Sequence, residues 1–453
     1  MDDSLGTRPV NRLIAKFAIP SIISMLVGAL YNMVDQIFIG NGVEDIAMGA
    51  TTVAFPVVTV CMALALLCGV GGASNFNLES GRGEHSRARH AAGTSLFLLL
   101  AGGVAVMVAV LLFLDPILRL CGATDRLMGY SRTYAGITAW GLPFLVLTSG
   151  GAHLIRADKS PNYSMAVILS GAVLNTILDP IFIFAFGWGI AGAAWATVIG
   201  QAVSAALVIF YFLKLQKMRL KWRDLLPVGR RLKRILSLGS ASSINQLAML
   251  VVQVLMNNQL AKYGAQSAYG AEIAVTVAGV IAKVGMIFLG LAIGISQGCQ
   301  PIWGFNYGAQ NYGRVKETYK KAAALCLGVG AVFFGLFMAF PVPIIGLFGV
   351  RGAAGVAFAV RYFRVFMFMT LLNGLQPMSS GFFTSTGKAK LGVITSLTRQ
   401  IVFLVPLILL LPLRWGIEGI LFAGPIADGA AVAVAVFFAA RDFRRMAAQP
   451  TGR

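Results

Sequence analysis

The sequence is poor in acidic residues, histidine and cysteine. Asp and Glu together account for 17 of its 453 residues, and there are 3 histidines and 5 cysteines. The cysteines are odd in number and lack metal-ligand spacing, so neither a disulfide framework nor a zinc site is indicated. The sequence also has no HExxH, GxSxG or Walker motif. We therefore predict that the protein is not an enzyme and uses no cofactor.

Apolar residues dominate instead. Hydrophobic residues make up 57% of the chain and charged residues 12%, against roughly half and a quarter in soluble domains. A membrane helix needs about 20 apolar residues. Twelve segments qualify, and they begin near Leu13, Gly49, Ala91, Tyr130, Asn162, Gly189, Lys233, Ala268, Lys316, Val356, Leu391 and Gly416. We predict an all-α integral membrane protein with twelve transmembrane helices, called spans 1 to 12 below.

The basic residues are unevenly distributed between the two predicted sides of the membrane. Most of the 37 Lys and Arg residues lie on the side that holds both termini. Because basic loops stay in the cytoplasm, we predict a multi-pass protein of the bacterial inner membrane with both termini cytoplasmic. The densest basic segment lies between spans 6 and 7. We interpret it as a linker along the lipid headgroups and do not expect nucleic-acid binding.

The two halves of the chain contain a repeat. The segment GWGIAGAAWATVIGQA (187–202) matches RWGIEGILFAGPIADG (414–429), and GRGEHSRAR (81–89) matches GAQNYGRVK (308–316), both with an offset of 227 residues. Six spans per half is an even number, so the repeat is parallel, with a pseudo-two-fold axis along the membrane normal. We predict an N-lobe (1–213, spans 1 to 6), a cytoplasmic linker (214–232) and a C-lobe (233–453, spans 7 to 12). Two such lobes around a cleft are typical of transporters, and each monomer would hold a complete pathway.

Two carboxylates fall inside spans of the N-lobe. Asp35 lies late in span 1, in YNMVDQIFIG, and Asp179 lies in span 5, in LNTILDPIFIF, at a similar predicted depth. Ionisable residues within spans mark ion or substrate pathways by default. Structural hydrogen bonding, or wetting of Asp35 at the outer interface, is the alternative. If the two groups are close, they cannot both be charged without a cation. We therefore predict a site for a proton or Na⁺.

Other polar side chains are expected near this pair. Asn175 and Tyr31 each precede one of the aspartates by four residues, which places them on the same helix face. Thr197 in span 6 returns to about the depth of Asp179. Carboxylate, amide and hydroxyl oxygens suit a small hard cation. Two prolines, Pro20 in span 1 and Pro180 after Asp179, weaken the helices there and are candidate hinges.

The C-lobe has a different set of intramembrane charges. The residue 227 positions after Asp179 is Pro406, not an acid. Arg399 and Asp428 have matching depth, and we predict a structural ion pair, with substrate contact as the alternative. The sequence alone assigns no role to Lys283 in span 8 or Glu272 at its outer end.

Two further groups have competing interpretations. His153 in span 4 is a candidate proton shuttle, and a packing histidine is the alternative. Span 7 carries several side-chain amides that we expect to join neighbouring helices, namely Asn245, Gln246, Gln253, Asn257 and Asn258.

The sequence resembles the multidrug and toxic compound extrusion (MATE) transporters, in particular their bacterial multidrug-export branch. The resemblance covers nearly the whole chain. It rests on FAIPSIISMLVGALYNMVDQIFIG in span 1, LIRADKSPNY after span 4, VLNTILDPIFIF and WGIAGAAWAT in spans 5 and 6, and GFFTSTGKAKLGVITSLTRQ before span 11. It implies two six-helix lobes forming a V, and drug export coupled to inward proton or sodium flow.

The resemblance also implies which residues form the cation site. They are Asp35, Asn175, Asp179 and Thr197, with Tyr31 beside them and Pro20 as the hinge. Two departures from the family pattern stand out. Span 4 reads LTSGGAHLIRAD and has no asparagine, and the acidic C-lobe site of other branches is missing.

These observations predict a secondary active multidrug efflux transporter. It would export organic cations or amphiphiles in antiport with H⁺ or Na⁺ by alternating access. A flippase of a lipid-linked precursor or oligosaccharide with the same architecture is the alternative, but it would need a cationic cleft, whereas the N-lobe is acidic. The sequence does not distinguish H⁺ from Na⁺.

Overall fold

The protein is described by a computed structural model that covers residues 4–42, 45–226, 229–347 and 352–447. The described residues are nearly all helical and include no β-strand. All twelve predicted spans are present as helices that are long and apolar enough to cross a membrane, two of them as bent pairs. Twelve crossings place the two described ends, Ser4 and Ala447, on one side of the membrane, called the termini side below.

The spans have the following bounds. In the N-lobe they are Val10–Gly42, Asp45–Gly81, His85–Leu112, Asp125–Ala139 with Leu142–Ala157, Pro161–Pro180 with the π-helix Ile181–Ala185, and Gly189–Phe210 with Tyr211–Leu215. In the C-lobe they are Gly229–Ala265, Ala271–Gly308, Tyr312–Ala339, Ala353–Phe366 with Thr370–Asn373 and Leu375–Ser385, Ala389–Trp415 and Ile417–Ala447. A short 3-10 helix, Trp222–Leu225, lies in the connection between the lobes.

The internal repeat is visible in the helix boundaries. Spans 3 and 9 are both 28 residues long, and their ends differ by 227 residues (85 to 312 and 112 to 339). The short helices that follow them, Leu114–Leu120 and Pro341–Leu347, have the same offset. The glycines of the two Trp-Gly-Ile turns, Gly189 and Gly416, have φ values of 55° and 56°. Since few residues other than glycine adopt positive φ, these turns explain why the motif recurs.

Spans 4 and 10 are bent at corresponding places. The two parts of span 4 meet at 53° and those of span 10 at 50°. In span 4 the second helix restarts with Pro143 in its first turn, where the missing proline N–H costs no hydrogen bond. Hydropathy alone did not predict these bends because the apolar run continues across them.

The lobes meet along spans 1 and 2 of the N-lobe and spans 7 and 8 of the C-lobe. The contacts are close enough to require glycine. A Cβ atom on Gly239 would lie 1.8 Å from the Leu67 carbonyl oxygen, and one on Gly71 would lie 2.1 Å from the Ile235 carbonyl oxygen. Both contacts lie in the halves of the spans near the termini side.

The outer halves of the same helices are more open. A Cβ atom on Gly28 in span 1 or Gly279 in span 8 would meet no atom within 4 Å among the described residues. Polar contacts also join the lobes near the termini. The Arg156 guanidinium donates to Gln297 Oε1 at 2.7 Å, and Glu79 forms an ion pair with Arg234 at 3.3 Å. The molecule is therefore a V closed on the termini side and open on the other.

Adding a methyl group at Gly239 should disrupt this closure. Because the obstructing atom is a backbone carbonyl, Gly239→Ala should push the lobes apart at the termini side and lower transport about tenfold, as overpacking of 1–3 kcal/mol would. Distances between spin labels across that face should lengthen. Gly279→Ala is the matched control and should change neither quantity. Unchanged distances in Gly239→Ala would show that this contact does not hold the lobes together.

Candidate cation-coupling site

Asp35 and Asp179 come together inside the N-lobe. Spans 1 and 5 pack side by side, and the two carboxyl groups lie close enough to interact electrostatically. Asp179 is 0% exposed and Asp35 7%. Both carboxyl groups are therefore largely enclosed by protein. Two carboxylates at this separation repel each other strongly when both are ionised, so the pair favours binding one cation.

Asn175 and Thr197 complete the inner side of the site. The Asn175 amide nitrogen lies 3.4 Å from Asp179 Oδ1 and 3.3 Å from the Thr197 hydroxyl. Spans 5 and 6 can approach this closely because glycines face each other, and a Cβ atom on Gly200 would lie 2.8 Å from the Gly171 carbonyl oxygen. The helical spacing of Asn175 and Asp179 and this close packing together bring the predicted groups into one cluster.

Two tyrosines lie beside Thr197, and one of them was not predicted. The side chains of Tyr31 and Tyr134 are both close enough to Thr197 and the carboxylate pair to interact with them. Tyr134 lies in the first part of span 4, in the helix Asp125–Ala139. The bend in span 4 turns this segment toward Thr197. The signal available in the sequence was a polar stripe on one helix face in an otherwise apolar span, with Ser131, Tyr134 and Thr138.

A further shell links the site to span 2. The Gln36 side chain lies close enough to Asp35 to interact with it, and the Thr51 hydroxyl lies 3.4 Å from Gln36 Oε1. Movement of span 2, which also lines the lobe interface, is thereby connected to the carboxylate pair.

Three oxygens of the cluster have no hydrogen-bond partner among the described residues. They are Asp35 Oδ1, Asn175 Oδ1 and Asp179 Oδ2, each fully enclosed. A buried polar atom without a partner costs about 1–3 kcal/mol. A proton shared by the carboxyls, or a Na⁺ held by these oxygens, would remove that cost. The residues present therefore suit either ion.

The two prolines differ in their local structure. Pro20 lies in the uninterrupted helix Val10–Gly42, where the Ser24 hydroxyl donates to the Pro20 carbonyl at 2.8 Å. Pro180 ends the α-helical part of span 5 directly after Asp179, and the π-helix Ile181–Ala185 follows. Their roles as hinges remain predictions.

His153 is not part of the carboxylate cluster. It lines a small polar cavity between the lobes with Ser74, Asn77, Arg156 and Gln297. Gln297 precedes Gly298, which faces Ala18 of span 1, so His153 is separated from Asp35 by about 25 Å along the membrane normal at 1.5 Å per helical residue. The structure does not place His153 where it could exchange a proton directly with the pair.

The C-lobe charges form a different kind of site. Arg399 Nε lies 2.5 Å from Asp428 Oδ1, and the Asn373 amide donates to Asp428 Oδ2 at 3.2 Å. Asp428 is 3% exposed. Both oxygens of this carboxylate are satisfied by fixed partners, unlike those of the N-lobe pair. The predicted pair is thus in contact, and its structural role remains a prediction.

A parallel two-lobe membrane fold, open on one side and with a buried carboxylate pair in one lobe, defines the class of membrane transporters. The sequence model of the MatE family matches residues 20–181 and 238–410, which is most of both lobes. The chain belongs to this family.

Individual relatives agree with this assignment. The multidrug export protein MepA of Staphylococcus aureus (strain MRSA252) is 26% identical over 442 residues, covering 96% of this chain and 95% of MepA. MepA of Staphylococcus haemolyticus is 25% identical over 422 residues, 93% of this chain and 91% of that protein. A solved outward-facing conformation of a multidrug resistance MATE family transporter has a TM-score of 0.91 and 25% identity, with 98% of both chains covered.

Removing the Tyr134 hydroxyl should weaken ion binding without unfolding the protein. Tyr134→Phe keeps the ring and deletes the hydroxyl beside Thr197, so the apparent affinity for the coupling ion should fall about three- to tenfold, as loss of a polar contact of roughly 1 kcal/mol predicts. Drug transport measured against ion concentration gives this value. Tyr263→Phe in the C-lobe is the control and should match the wild type. An unchanged ion dependence in Tyr134→Phe would remove Tyr134 from the site.

Breaking the C-lobe ion pair should mainly affect stability. Arg399→Met leaves Asp428 buried without its cation, which costs about 3–5 kcal/mol, and the melting temperature in detergent should fall clearly. The double variant Arg399→Met with Asp428→Asn should recover most of the loss. If the single variant is as stable as the wild type but fails to bind drug, the substrate-contact alternative is correct.

Proposed function

We propose that this protein is a secondary multidrug efflux transporter of the bacterial inner membrane. It exports organic cations or amphiphiles in antiport with H⁺ or Na⁺, acts as a monomer, and has both termini in the cytoplasm. The observation that carries the proposal is the enclosed Asp35–Asp179 pair, in which one oxygen of each carboxyl group has no hydrogen-bond partner among the described residues. The names of the staphylococcal relatives support the multidrug substrate class. The division into N-lobe, linker and C-lobe at 213 and 233 is part of this proposal.

The open V gives the coupling ion access from outside. An ion entering the outer cleft reaches Asp35 and Asp179, each of which has one oxygen without a hydrogen-bond partner among the described residues. Ion binding neutralises the repulsion between the carboxyls and lets spans 1 and 5 pack more closely. Inward movement of one positive charge down a 100 mV potential supplies about 2.3 kcal/mol, which corresponds to roughly fiftyfold drug accumulation.

Drug and ion compete for the same lobe in this mechanism. A cationic drug is attracted by the ionised pair, and the ion displaces it by occupying that charge. Bending of span 1 at Pro20 changes the shape of the N-lobe pocket as the ion binds. The Gln36–Thr51 contact transmits the change to span 2 and so to the lobe interface. Alternating access follows when closure on the termini side is released.

Neutralising Asp179 should abolish coupling. Asp179→Asn retains the hydrogen-bonding shape but leaves Asp35 without a partner charge, so ion-driven ethidium export from proteoliposomes should fall about thirty- to a hundredfold, the size expected for a lost site of 2–3 kcal/mol. The measurement is made with an imposed pH gradient and an imposed Na⁺ gradient separately, which also identifies the ion. Asp125→Asn is the control because its side chain is 91% exposed.

The result that contradicts the proposal is export by Asp179→Asn at the wild-type rate under either gradient. Asp125→Asn should transport normally in both experiments. Wild-type protein that moves ethidium equally well with no gradient would show that it is not an antiporter.

A further inference from the structure

Lys283 is a charged residue within span 8 for which the proposed mechanism has no role. Its side chain is exposed and forms no salt bridge among the described residues. A lysine facing lipid near the middle of a membrane is costly, so such residues normally face a water-filled cavity. The neighbouring contacts of span 8 show which cavity this is.

Lys283 lies on the face of span 8 that points to the N-lobe. Seven residues further, a Cβ atom on Gly290 would lie 3.7 Å from Met25 of span 1. Seven residues beyond that, Gln297 receives the hydrogen bond from Arg156. Residues seven apart are two turns apart on one helix face. Lys283 therefore points across the open part of the V toward span 1.

The same contacts give its depth. Gly298 faces Ala18, Gly294 faces Ile22 and Gly290 faces Met25. Spans 1 and 8 are therefore antiparallel, and each step outward along span 8 matches an equal step outward along span 1. Moving seven residues outward from Gly290 to Lys283 corresponds to moving from Met25 to Asn32. Asn32 is one turn from Asp35. Lys283 thus lies on the opposite wall of the cleft at the depth of the carboxylate pair.

Span 7 adds amide groups at this depth. Gln253 lies fourteen residues after Gly239, which faces Leu67 of span 2, so it shares that face and lies level with Val53. Its side chain is exposed and donates to Asn257 of its own helix at 3.1 Å. The hydrogen bond of this amide thus lies within span 7 and does not join it to a neighbouring helix. Gln253 belongs to the cleft wall.

We propose that Lys283 and Gln253 form an anion-recognition position on the C-lobe wall of the cleft. The ammonium group pairs with a carboxylate of the transported molecule, and the amide offers a further hydrogen bond. The acidic pair in the N-lobe attracts the cationic end of the same molecule. The preferred substrates are then zwitterionic amphiphiles, which carry a carboxylate as well as a cationic aromatic body. This inference rests on the proposed export function and specifies its substrate class.

A matched dye pair tests it. Tetramethylrhodamine with a free carboxylate and its methyl ester share the cationic aromatic body and differ in the anionic group. Export of both is measured in proteoliposomes for wild type, Lys283→Gln, Lys283→Arg and the control Lys262→Gln. Lys283→Gln should raise the KM for the carboxylate dye about tenfold, the loss of a charge-assisted bond of about 1.4 kcal/mol. Its KM for the ester should be unchanged, and Lys283→Arg should restore carboxylate export.

The failures are distinguishable. If wild-type protein exports neither dye, the proposed export function fails before Lys283 is tested. If the wild type exports the dyes and Lys283→Gln changes both KM values equally or neither, Lys283 does not recognise the anion. Failure of Lys283→Arg to restore carboxylate export would also overturn the proposal. Lys262→Gln, which removes a charge near the outer end of span 7, should behave as wild type with both dyes.

Discussion

The repulsion between two enclosed carboxyl groups is the constraint on which the rest of this protein depends. Asp35 and Asp179 lie on different spans, close to each other and largely buried. Without a cation they cannot both be charged and remain in contact. In the proposed mechanism, occupancy of the site therefore sets how closely spans 1 and 5 pack, and a local binding event becomes a change in the shape of a lobe.

The remainder of the structure transmits that change. Span 1 holds Asp35 in its outer half. Its inner half contacts Gly294 and Gly298 of span 8. Span 2 is joined to the site through Gln36 and carries the close contact with Gly239 of span 7. The helices that would sense the ion in the proposed mechanism are thus the helices that close the molecule. In the C-lobe ion pair, both oxygens of Asp428 have fixed partners. This pair needs no cation and suits a part of the lobe that does not change shape.

Much of this organisation was predictable from the sequence because hydropathy, internal repeats and helical spacing can be read directly in a membrane protein. Hydropathy gave the twelve spans, and the repeat of the Trp-Gly-Ile turn reflects a positive φ at Gly189 and Gly416. Helical spacing alone linked Asn175 to Asp179. The bend in span 4 was not predictable from an unbroken apolar run, and so Tyr134 was missed. The orientation of Lys283 toward the cleft was also not predictable, because helical periodicity does not show which neighbouring helix each face contacts.

The most direct test of the central claim is the number of cations released when a drug binds. Detergent-solubilised protein is titrated with ethidium in weak buffer, while a pH electrode and a Na⁺ electrode record both ions. If the pair shares a single cation that the drug displaces, release should approach about one per bound drug and vanish in Asp179→Asn. Drug binding with no release of either ion from the wild type would contradict the account.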